Sequence, residues 1–421
     1  MALTAEQIAL VKSTAPVIKQ HGQTITNVFY KRILAAHPDL KSIFSLRNQH
    51  TGAQQAALAG AVFAYASYID DLGALEDAID RIAHKHASLF VRPDQYPLVG
   101  KFLIDAFAEV LGAAITEDVV EAWIAAYHQL ADVLIRREKK LYDEAGAWND
   151  WRSFTVADKV HEADHVVSLY LKPKDGRSLP RFMPGQYISV RIPIPELGSL
   201  FQSRQFSLST KSEDDPELYR ISVKREPVES GTVEEQIQGE IPGLVSNRLY
   251  DKFVKGDEVE LSPPQGKFVL DVAGAAANAP VVFLSLGIGV TPLMSMLQSI
   301  ISSPEHSSRP VSWVQGARQA TSVCFGKSIR DMAASHKNVN PLIFVKNVDQ
   351  ADQKGREYDV QGRLDMSVAE DHGMLHLSNS SAGYYICGPA DWMLETKAWL
   401  SKKGVAPERI YLELFGTGGV A

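Results

Sequence analysis

The sequence has very little cysteine, with only Cys324 and Cys387 among its 421 residues. Two cysteines cannot form a disulfide framework, and neither lies in a zinc-ligand spacing or in a Cys-x-x-Cys-His motif for covalent haem. This usage is typical of a reducing compartment, so we expect a cytoplasmic protein. The first sixteen residues also lack the basic and then apolar pattern of a secretory signal.

Long apolar runs and concentrated charge are also absent. The longest apolar stretch, 279–297, is interrupted by serine, glycine, threonine and proline, which favours a buried strand and helix over a membrane span. The formal net charge is -7 and the basic residues are scattered, so nothing indicates nucleic-acid binding. We expect no nucleic-acid partner and no membrane span. We also expect a monomer, because no unmatched apolar face stands out.

The spacing of apolar residues changes twice along the chain, which predicts a multidomain protein with three parts. Residues 1–147 carry apolar residues at steps of three and four, which predicts an all-α domain opened by a capping box of Thr4 and Gln7. Residues 148–270 contain short alternating runs that predict an antiparallel β-barrel. Residues 271–421 alternate strand and helix patterns, which predicts an α/β domain with a parallel sheet.

Several strands are specified by these patterns. In the barrel we predict strands near 153–160, 166–171, 187–192, 219–223 and 258–261. In the last domain we predict strands near 280–286, 311–314, 342–346 and 384–387. The linker between the helical domain and the barrel is expected near 143–151.

Four polar side chains are expected on apolar faces of the helical domain, namely Tyr30, Gln54, His86 and Glu138. Each one alone also fits a core polar group with satisfied hydrogen bonds, and a single inward histidine is more often structural than a ligand. Together they favour a haem pocket, because haem iron needs one nitrogen ligand and a controlled space on its other face. A ligating histidine usually donates its second N–H to an acceptor, and Glu138, helped by Tyr96, qualifies.

Two segments of the helical domain resemble bacterial-type globins. The run Arg81-Ile82-Ala83-His84-Lys85-His86 resembles the proximal helix of flavohaemoglobins, and Ala36-His37-Pro38-Asp39-Leu40, followed by Phe44, resembles a turn that places a phenylalanine on the haem. The resemblance implies that His86 binds the haem iron and that His84 is a bystander. It also implies that Phe44 and Leu58 contact the haem.

The same resemblance assigns catalytic roles. Tyr30 and Gln54 match the distal positions, where the tyrosine hydrogen-bonds oxygen on the iron. Tyr96 and Glu138 match the pair that makes the proximal imidazole more anionic, which favours oxygen chemistry over oxygen storage. Lys85 matches a lysine near the contact between haem and flavin.

A flavin motif is expected in the barrel. Arg204-Gln205-Phe206-Ser207, which we place at the start of a strand, combines a guanidinium and a hydroxyl that together bind a phosphate and a heterocycle edge. Alone it also fits an ordinary strand with an exposed arginine. However, Pro184-Gly185-Gln186-Tyr187 precedes it and Gly243-Leu244-Val245-Ser246-Asn247 follows it, and in this order the motifs resemble the FAD domain of ferredoxin-reductase-like proteins.

The flavin resemblance implies specific contacts and one departure. Arg204 would pair with the FAD pyrophosphate, Ser207 would contact the isoalloxazine and Tyr187 would line the cofactor. Ser246 and Asn247 would meet the phosphates. Phe206 replaces the family's usual tyrosine, so one hydrogen bond is lost and FAD affinity is expected to fall. Segments 213–216 and 226–241 also look longer than usual, and neither is assigned a function.

A nicotinamide site is expected in the last domain. Gly287-Ile288-Gly289-Val290-Thr291-Pro292 follows an apolar strand and opens a helix, which also fits a plain strand–turn–helix. It differs from the G-x-G-x-x-G fingerprint. The glycines let the backbone approach a pyrophosphate at the positive helix end, Pro292 suits the first helical turn, and we expect Thr291 to cap the helix.

Two later segments resemble the same reductase family. Cys387-Gly388-Pro389 resembles the strand end that lines the nicotinamide, with Cys387 as a wall. In the tail Glu413-Leu414-Phe415-Gly416, the resemblance implies that Phe415 covers the flavin and moves for nicotinamide, and that Glu413 tunes the flavin potential. Leu286, Val290 and Gln315 depart from the family's common residues. The choice between NADH and NADPH stays open, since Arg318 fits either.

In this order the three modules resemble flavohaemoglobins over nearly the whole chain. The resemblance implies haem b, FAD and NADH or NADPH as cofactors, with nitric oxide and O2 as substrates. It implies a nitric oxide dioxygenase, in which two NO and two O2 yield two nitrates per NAD(P)H and nitric oxide is detoxified. Two alternatives stay open. One is an oxygen carrier or sensor, and the other is a haem-assisted reductase of hydroperoxides, for which Leu58, Val62 and Leu103 leave an apolar pocket.

Overall fold

The structure is a computed structural model and describes residues 3–198, 200–226, 235, 243–272 and 278–416. Its first part is helical, as the apolar spacing predicts. Thr4 and Gln7 form the predicted capping box, and the first helix ends just before Pro38. The helices are α1 (Ala5–Ala36), α2 (Leu46–His50), α3 (Ala53–Ser67), α4 (Glu76–Ser88), α5 (Gln95–Leu111) and α6 (Glu117–Ala145).

A close crossing of α1 and α3 organises the helical core. A Cβ added to Gly22 on α1 would lie 3.1 Å from the Cβ of Ala59 on α3, so the two helices approach through small residues. Thr26 of α1 donates a hydrogen bond to the carbonyl of Gln55 at 3.0 Å across the same contact. The crossing therefore brings Tyr30, on α1, beside the first turn of α3.

The second part is an antiparallel barrel with strand order β4-β3-β6-β1-β2-β5. Its two end strands are joined by an antiparallel bridge between Leu208 and Ile221, which closes the sheet. The Arg204–Ser207 motif ends β4, so its predicted place at the start of a strand was wrong. The strands are β1 (Arg152–Ala163), β2 (Val166–Pro173), β3 (Tyr187–Pro193), β4 (Phe201–Ser207), β5 (Tyr219–Lys224) and β6 (Glu258–Leu261).

The third part is a six-stranded parallel sheet with order β10-β9-β8-β7-β11-β12. β7 pairs with both β8 and β11, so the strand order reverses between β7 and β11, where ligands of such sheets bind. The strands are β7 (Val281–Leu286), β8 (Val311–Gln319), β9 (Val339–Asn347), β10 (Val360–Gln361), β11 (Gly383–Cys387) and β12 (Ile410–Glu413). Helices Ser246–Asp251, Val290–Ile301, Gly326–Ser335, Met366–Asp371 and Ala390–Lys402 complete these parts.

Separate cores correspond to the three parts. Trp148, in the connection between α6 and β1, packs on Phe154 inside the barrel core. Phe268 and Leu270, after β6, pack instead into the core beneath the parallel sheet. Within the described ranges, none of the helices combines the length and the hydropathy that crossing a bilayer requires.

Candidate functional site

His86 lies in the last turn of α4 and is held by two groups from other helices. Its Nδ1 is 2.8 Å from Oε1 of Glu138, on α6, and 3.1 Å from the hydroxyl of Tyr96, on α5. The Tyr96 hydroxyl donates to the same Oε1 at 2.5 Å. Oε1 of Glu138 already accepts from Tyr96 and faces Nδ1 as an acceptor, so Nδ1 of His86 is the donor in this pair. With the proton on Nδ1, the neutral form of the imidazole has its lone pair on Nε2, as a metal ligand requires.

Burial favours Glu138 as the hydrogen-bond acceptor of this cluster and Tyr96 as a donor. The Glu138 side chain is 2% exposed, and its Oε2 has no hydrogen-bond partner among the described residues. Desolvation, reinforced by the neighbouring Glu138 carboxylate, raises the pKa of Tyr96 well above its usual value of 10.0, so this phenol remains a donor. A histidine with an oriented acceptor behind it fits a haem iron ligand.

Tyr30 and its neighbours form a second, mainly apolar cluster in the same domain. Tyr30 is buried, its hydroxyl is hydrogen-bonded to the side chain of Gln54, and burial raises its pKa above the usual value of 10.0. The Phe44 ring meets the Tyr30 ring edge-on, with centroids 5.3 Å apart. One phenol donor set among apolar side chains fits a pocket for a small ligand on iron. The apolar members of the cluster include Leu58, Val62 and Leu103.

Sequence reasoning missed Gln55, which follows Gln54 on α3. Its side chain is buried, and its amide donates to the Gln49 carbonyl at 3.1 Å. Adjacent helix residues differ by about 100° in direction, so only one of the two glutamines faces Tyr30. The apolar spacing already placed Gln54 on an inward helix face, but it gave no signal for Gln55.

On β3 and β4 the predicted flavin residues lie side by side. Tyr187 pairs with Ser207, and Val190 pairs with Arg204, in the antiparallel register. The Ser207 hydroxyl is buried with no hydrogen-bond partner among the described residues. Buried polar groups are rarely left unpaired, so this hydroxyl fits a site that a polar cofactor completes.

The other two residues of the motif contact protein. The Gln205 amide lies 3.4 Å from the hydroxyls of both Ser88 and Ser189. Phe206 packs against the barrel core and offers no hydroxyl. The guanidinium of Arg204 lies 3.5 Å from the hydroxyl of Ser45 in the helical domain, and burial lowers its pKa from the usual value.

The side chain of Asn247, in the helix Ser246–Asp251, is hydrogen-bonded to the protein itself. The Asn247 side chain accepts from the Glu226 N–H at 2.8 Å and donates to the Glu226 carbonyl at 3.1 Å. The Asn247 amide is therefore already hydrogen-bonded, so the predicted contact with the FAD phosphates would be made by Ser246. Most of the long segment 226–241 lies outside the described residues.

Glycines bring β7 and β11 together at the reversal of strand order. A Cβ on Gly289 would lie 2.1 Å from the carbonyl oxygen of Cys387, and a Cβ on Gly388 would lie 2.9 Å from the Trp392 ring. Gly287 has a φ of 56°, which favours glycine. The result is a cradle of bare backbone at a helix N-terminus, which fits the pyrophosphate of a dinucleotide.

Thr291 does not cap the nicotinamide-side helix, so that prediction was wrong. The helix begins at Val290 with Gly289 at the capping position, and the Thr291 hydroxyl donates back to the Ile288 carbonyl at 3.1 Å. Pro292 lies in the first turn as predicted, because no backbone donor is needed there. Cys387 is fully buried and burial raises the pKa of its thiol, which suits the predicted wall.

The end of α4 contacts the C-terminal tail. Lys85 donates to the carbonyl of Gly416 at 3.3 Å, and its charge interacts with Glu413. Burial lowers the pKa of Lys85 to about 8 and raises the pKa of Glu413 to about 8. The Phe415 side chain is 48% exposed beside this contact. The predicted haem–flavin contact residues are thus brought together by the fold.

Two further α4 residues also meet the barrel. His84 Nδ1 lies 2.8 Å from Oε1 of Gln265 and 3.2 Å from the backbone nitrogen of Gly266, so this histidine, which we expect to be a bystander to the iron, packs at the interface with the barrel. The Ser88 hydroxyl accepts from Ser189 at 3.0 Å. No sequence signal marks Ser88, because small serines on helices are usually solvated.

Comparison with known proteins agrees with this order of domains. The family description Globin matches residues 27–134, and Oxidoreductase NAD-binding domain matches residues 283–397. A protein named Flavohemoprotein from Bordetella pertussis is 44% identical over 423 residues, covering 100% of both chains. The Flavohemoprotein of Rhizobium meliloti is 41% identical and covers 98% of both.

Solved structures extend the likeness to the whole fold. The flavohemoglobin from Malassezia yamatoensis, determined with bound FAD and heme, has a TM-score of 0.82 and 30% identity, and the match covers 99% of this chain and 100% of that one. The FAD/NAD-binding domain of nitric oxide dioxygenase from Vibrio cholerae has a TM-score of 0.52 and 29% identity, covering 63% of this chain and 99% of that one.

Proposed function

Because this chain belongs to the flavohemoprotein family, we propose that it is an NAD(P)H-dependent nitric oxide dioxygenase that converts nitric oxide and O2 to nitrate. We further propose haem b and FAD as its bound cofactors, with NADH or NADPH as the electron donor and the cytoplasm as its location. At the level of protein class, the chain is an oxidoreductase with a globin domain and an NAD-binding domain.

The observation that carries the dioxygenase proposal is the shared acceptor behind His86. Glu138 Oε1 accepts from both His86 and Tyr96, in a site where the carboxylate is almost fully buried. A buried negative charge on the acceptor makes the imidazole a stronger electron donor through Nε2. Such a ligand favours oxygen activation over reversible oxygen carriage.

When bound, haem supplies an iron that takes up O2, while FAD converts hydride transfer from the nicotinamide into single-electron transfer. The chain's own residues bind and orient these groups. His86 would ligate the iron, and Tyr30 would donate a hydrogen bond into the distal pocket, with Gln54 holding its hydroxyl. Arg204 and Ser207 would hold FAD, and the backbone at Gly287 and Gly289 would hold the dinucleotide.

The first experiment measures NADH oxidation by the purified, cofactor-loaded protein under air with added nitric oxide, and quantifies nitrate. We expect fast oxidation with about one NADH per two NO and nitrate as the product. Slow NADH use, with oxygen retained while nitric oxide is present, would instead indicate a carrier or sensor. Turnover with an alkyl hydroperoxide but not with nitric oxide would indicate the hydroperoxide reductase.

A pair of tyrosine variants tests the carrying observation. Tyr96→Phe removes one donor to Glu138, so it should slow nitrate formation while leaving NADH-dependent flavin reduction unchanged. Tyr68→Phe removes a hydroxyl from a side chain that is 49% exposed, and serves as the matched control. Equal nitrate rates in the two variants would contradict a role for the proximal hydrogen bonds.

A further inference from the structure

A charged cluster outside the assigned site joins the helical domain to the barrel. Asp80, on the same helix as His86, has a side chain that is only 5% exposed. Its carboxylate forms ion pairs with Arg137 on α6 and with Lys267 after β6, the latter at 2.6 Å. Lys267 also pairs with Asp77 at 3.1 Å. One buried carboxylate thus holds two helices and a loop of the neighbouring domain.

Each partner of Asp80 is the chain neighbour of a group at one of the two cofactor sites. Arg137 directly precedes Glu138, the acceptor behind His86. Lys267 directly follows Gly266, whose N–H donates to His84 and whose Cα lies against the Tyr187 ring, so that a Cβ there would be 3.0 Å from the ring. A shift of Lys267 relative to Asp80 would therefore move the flavin side relative to the haem side.

We propose that Asp80, through its ion pair with Lys267, is a positioning residue that holds the haem-binding domain against the flavin-binding barrel and thereby sets the rate of electron transfer between them. This inference rests on the proposed function, since it assumes that electrons pass from FAD to haem. If docking is transient, that rate is reduced in proportion to the docked fraction. Flavin reduction by NADH occurs within the reductase and does not depend on docking.

The energetics make this pair more than a surface contact. An exposed ion pair contributes little, but a buried carboxylate that loses a partner is left with an uncompensated charge. Lys267 and Arg137 are both about a third exposed, so the two cations keep contact with water while Asp80 does not. Lys267→Met removes the interdomain half of the cluster and leaves the Asp80–Arg137 pair inside the helical domain.

The test compares the cofactor-loaded full chain with Lys267→Met, Lys267→Arg and a matched control, Asp143→Asn. Asp143 is a well-exposed member of an ion pair on α6. Stopped-flow spectroscopy would follow flavin reduction by NADH and haem reduction separately, without nitric oxide. Hydrogen exchange at residues 76–88 and 263–268 would report docking independently of turnover.

For Lys267→Met we expect unchanged flavin reduction, a several-fold slower haem reduction and faster exchange in both segments. Lys267→Arg should show the parent rate of haem reduction and the parent protection from hydrogen exchange. Asp143→Asn should also match the parent. Haem reduction at the parent rate in Lys267→Met would overturn the inference, as would an equal loss of flavin reduction. Since nitric oxide is absent, failure of the dioxygenase proposal would appear separately, as missing nitrate in the parent protein.

Discussion

The ring of Tyr127 lies against the Cα of Gly100, so closely that a Cβ on Gly100 would be 2.4 Å from Cε1 of the ring. The Tyr127 hydroxyl donates to the Tyr96 carbonyl at 2.6 Å, and the Tyr96 side chain donates to Glu138. The absence of a side chain at Gly100 therefore allows Tyr127 to brace the turn of α5 that carries Tyr96. This support is separate from the hydrogen bonds to His86.

Gly100→Ala should consequently destabilise the helical domain by about 1–3 kcal/mol, because overpacking forces Tyr127 out of its place. Thermal or urea unfolding of the cofactor-loaded protein measures the change. Gly60→Ala is the matched control, since it also lies within a helix and a Cβ there meets nothing within 4 Å. That control should gain about 0.5–1 kcal/mol from helix propensity. Equal effects of the two alanines would contradict the steric explanation.

Tyr30→Phe should speed oxygen dissociation about tenfold, because it deletes a hydrogen bond worth about 1–1.5 kcal/mol. Nitrate formation should slow accordingly. Stopped-flow oxygen displacement from the reduced protein measures the rate. Tyr65→Phe is the control, because the Tyr65 hydroxyl donates to the Ala126 carbonyl at 2.7 Å and is expected to act only on stability. Unchanged oxygen dissociation and turnover in Tyr30→Phe would remove its distal role.

Gly289→Ala should abolish most NADH-dependent flavin reduction while the flavin and haem spectra persist. The new Cβ would lie 2.1 Å from the Cys387 carbonyl, so the turn after β7 must move away from the end of β11. Gly383→Ala, at the other end of β11, places its Cβ no closer than 3.4 Å to a neighbour and should behave like the parent. A normal KM for NADH in Gly289→Ala would show that this turn does not bind the nucleotide.

Glu413→Gln should raise the melting temperature increasingly as pH rises from 5 to 8.5. Burial raises the pKa of Glu413 from its usual 4.5 to about 8, although Arg81 and Lys85 oppose the shift. Folding then takes up a proton at this carboxyl, so its contribution to stability is lost as pH rises from about 4.5 to about 8. Glutamine carries no charge and avoids this loss.

Calorimetry of parent and variant across this pH range tests the sign. Glu408→Gln is the control, because it also removes one negative charge. Glu408 is exposed and lies near the start of the same strand. The difference between Glu413→Gln and the parent should be small near pH 5 and level off above about pH 8. A difference that stays constant with pH would mean that the carboxyl is not destabilised by burial.

Much of the fold follows from periodicities in the sequence. Steps of three and four residues predicted that His86 lies on an apolar face of a helix, and α4 carries it as expected. Alternating runs located β6 at Glu258–Leu261, and the glycine turn before Pro292 located the turn from β7 into the helix Val290–Ile301. These features depend on contacts within one element or between neighbours in sequence, so local chemistry was enough to predict them. Where a capping choice depended on backbone geometry, as at Thr291, the prediction failed.

What only the tertiary structure decided is how distant elements meet. Nothing in the sequence around Asp80 indicates that its carboxylate pairs with Lys267. The hydrogen bond between Asn247 and Glu226 could not be predicted from the sequence either. Ser88 gains its role only because Ser189 is brought within 3.0 Å. Periodicity determines which face of an element is buried, but it carries no information on which distant residue will lie opposite. The sequence by itself therefore determined the three parts and their apolar faces, and packing between domains decided the contacts that join haem and flavin sides.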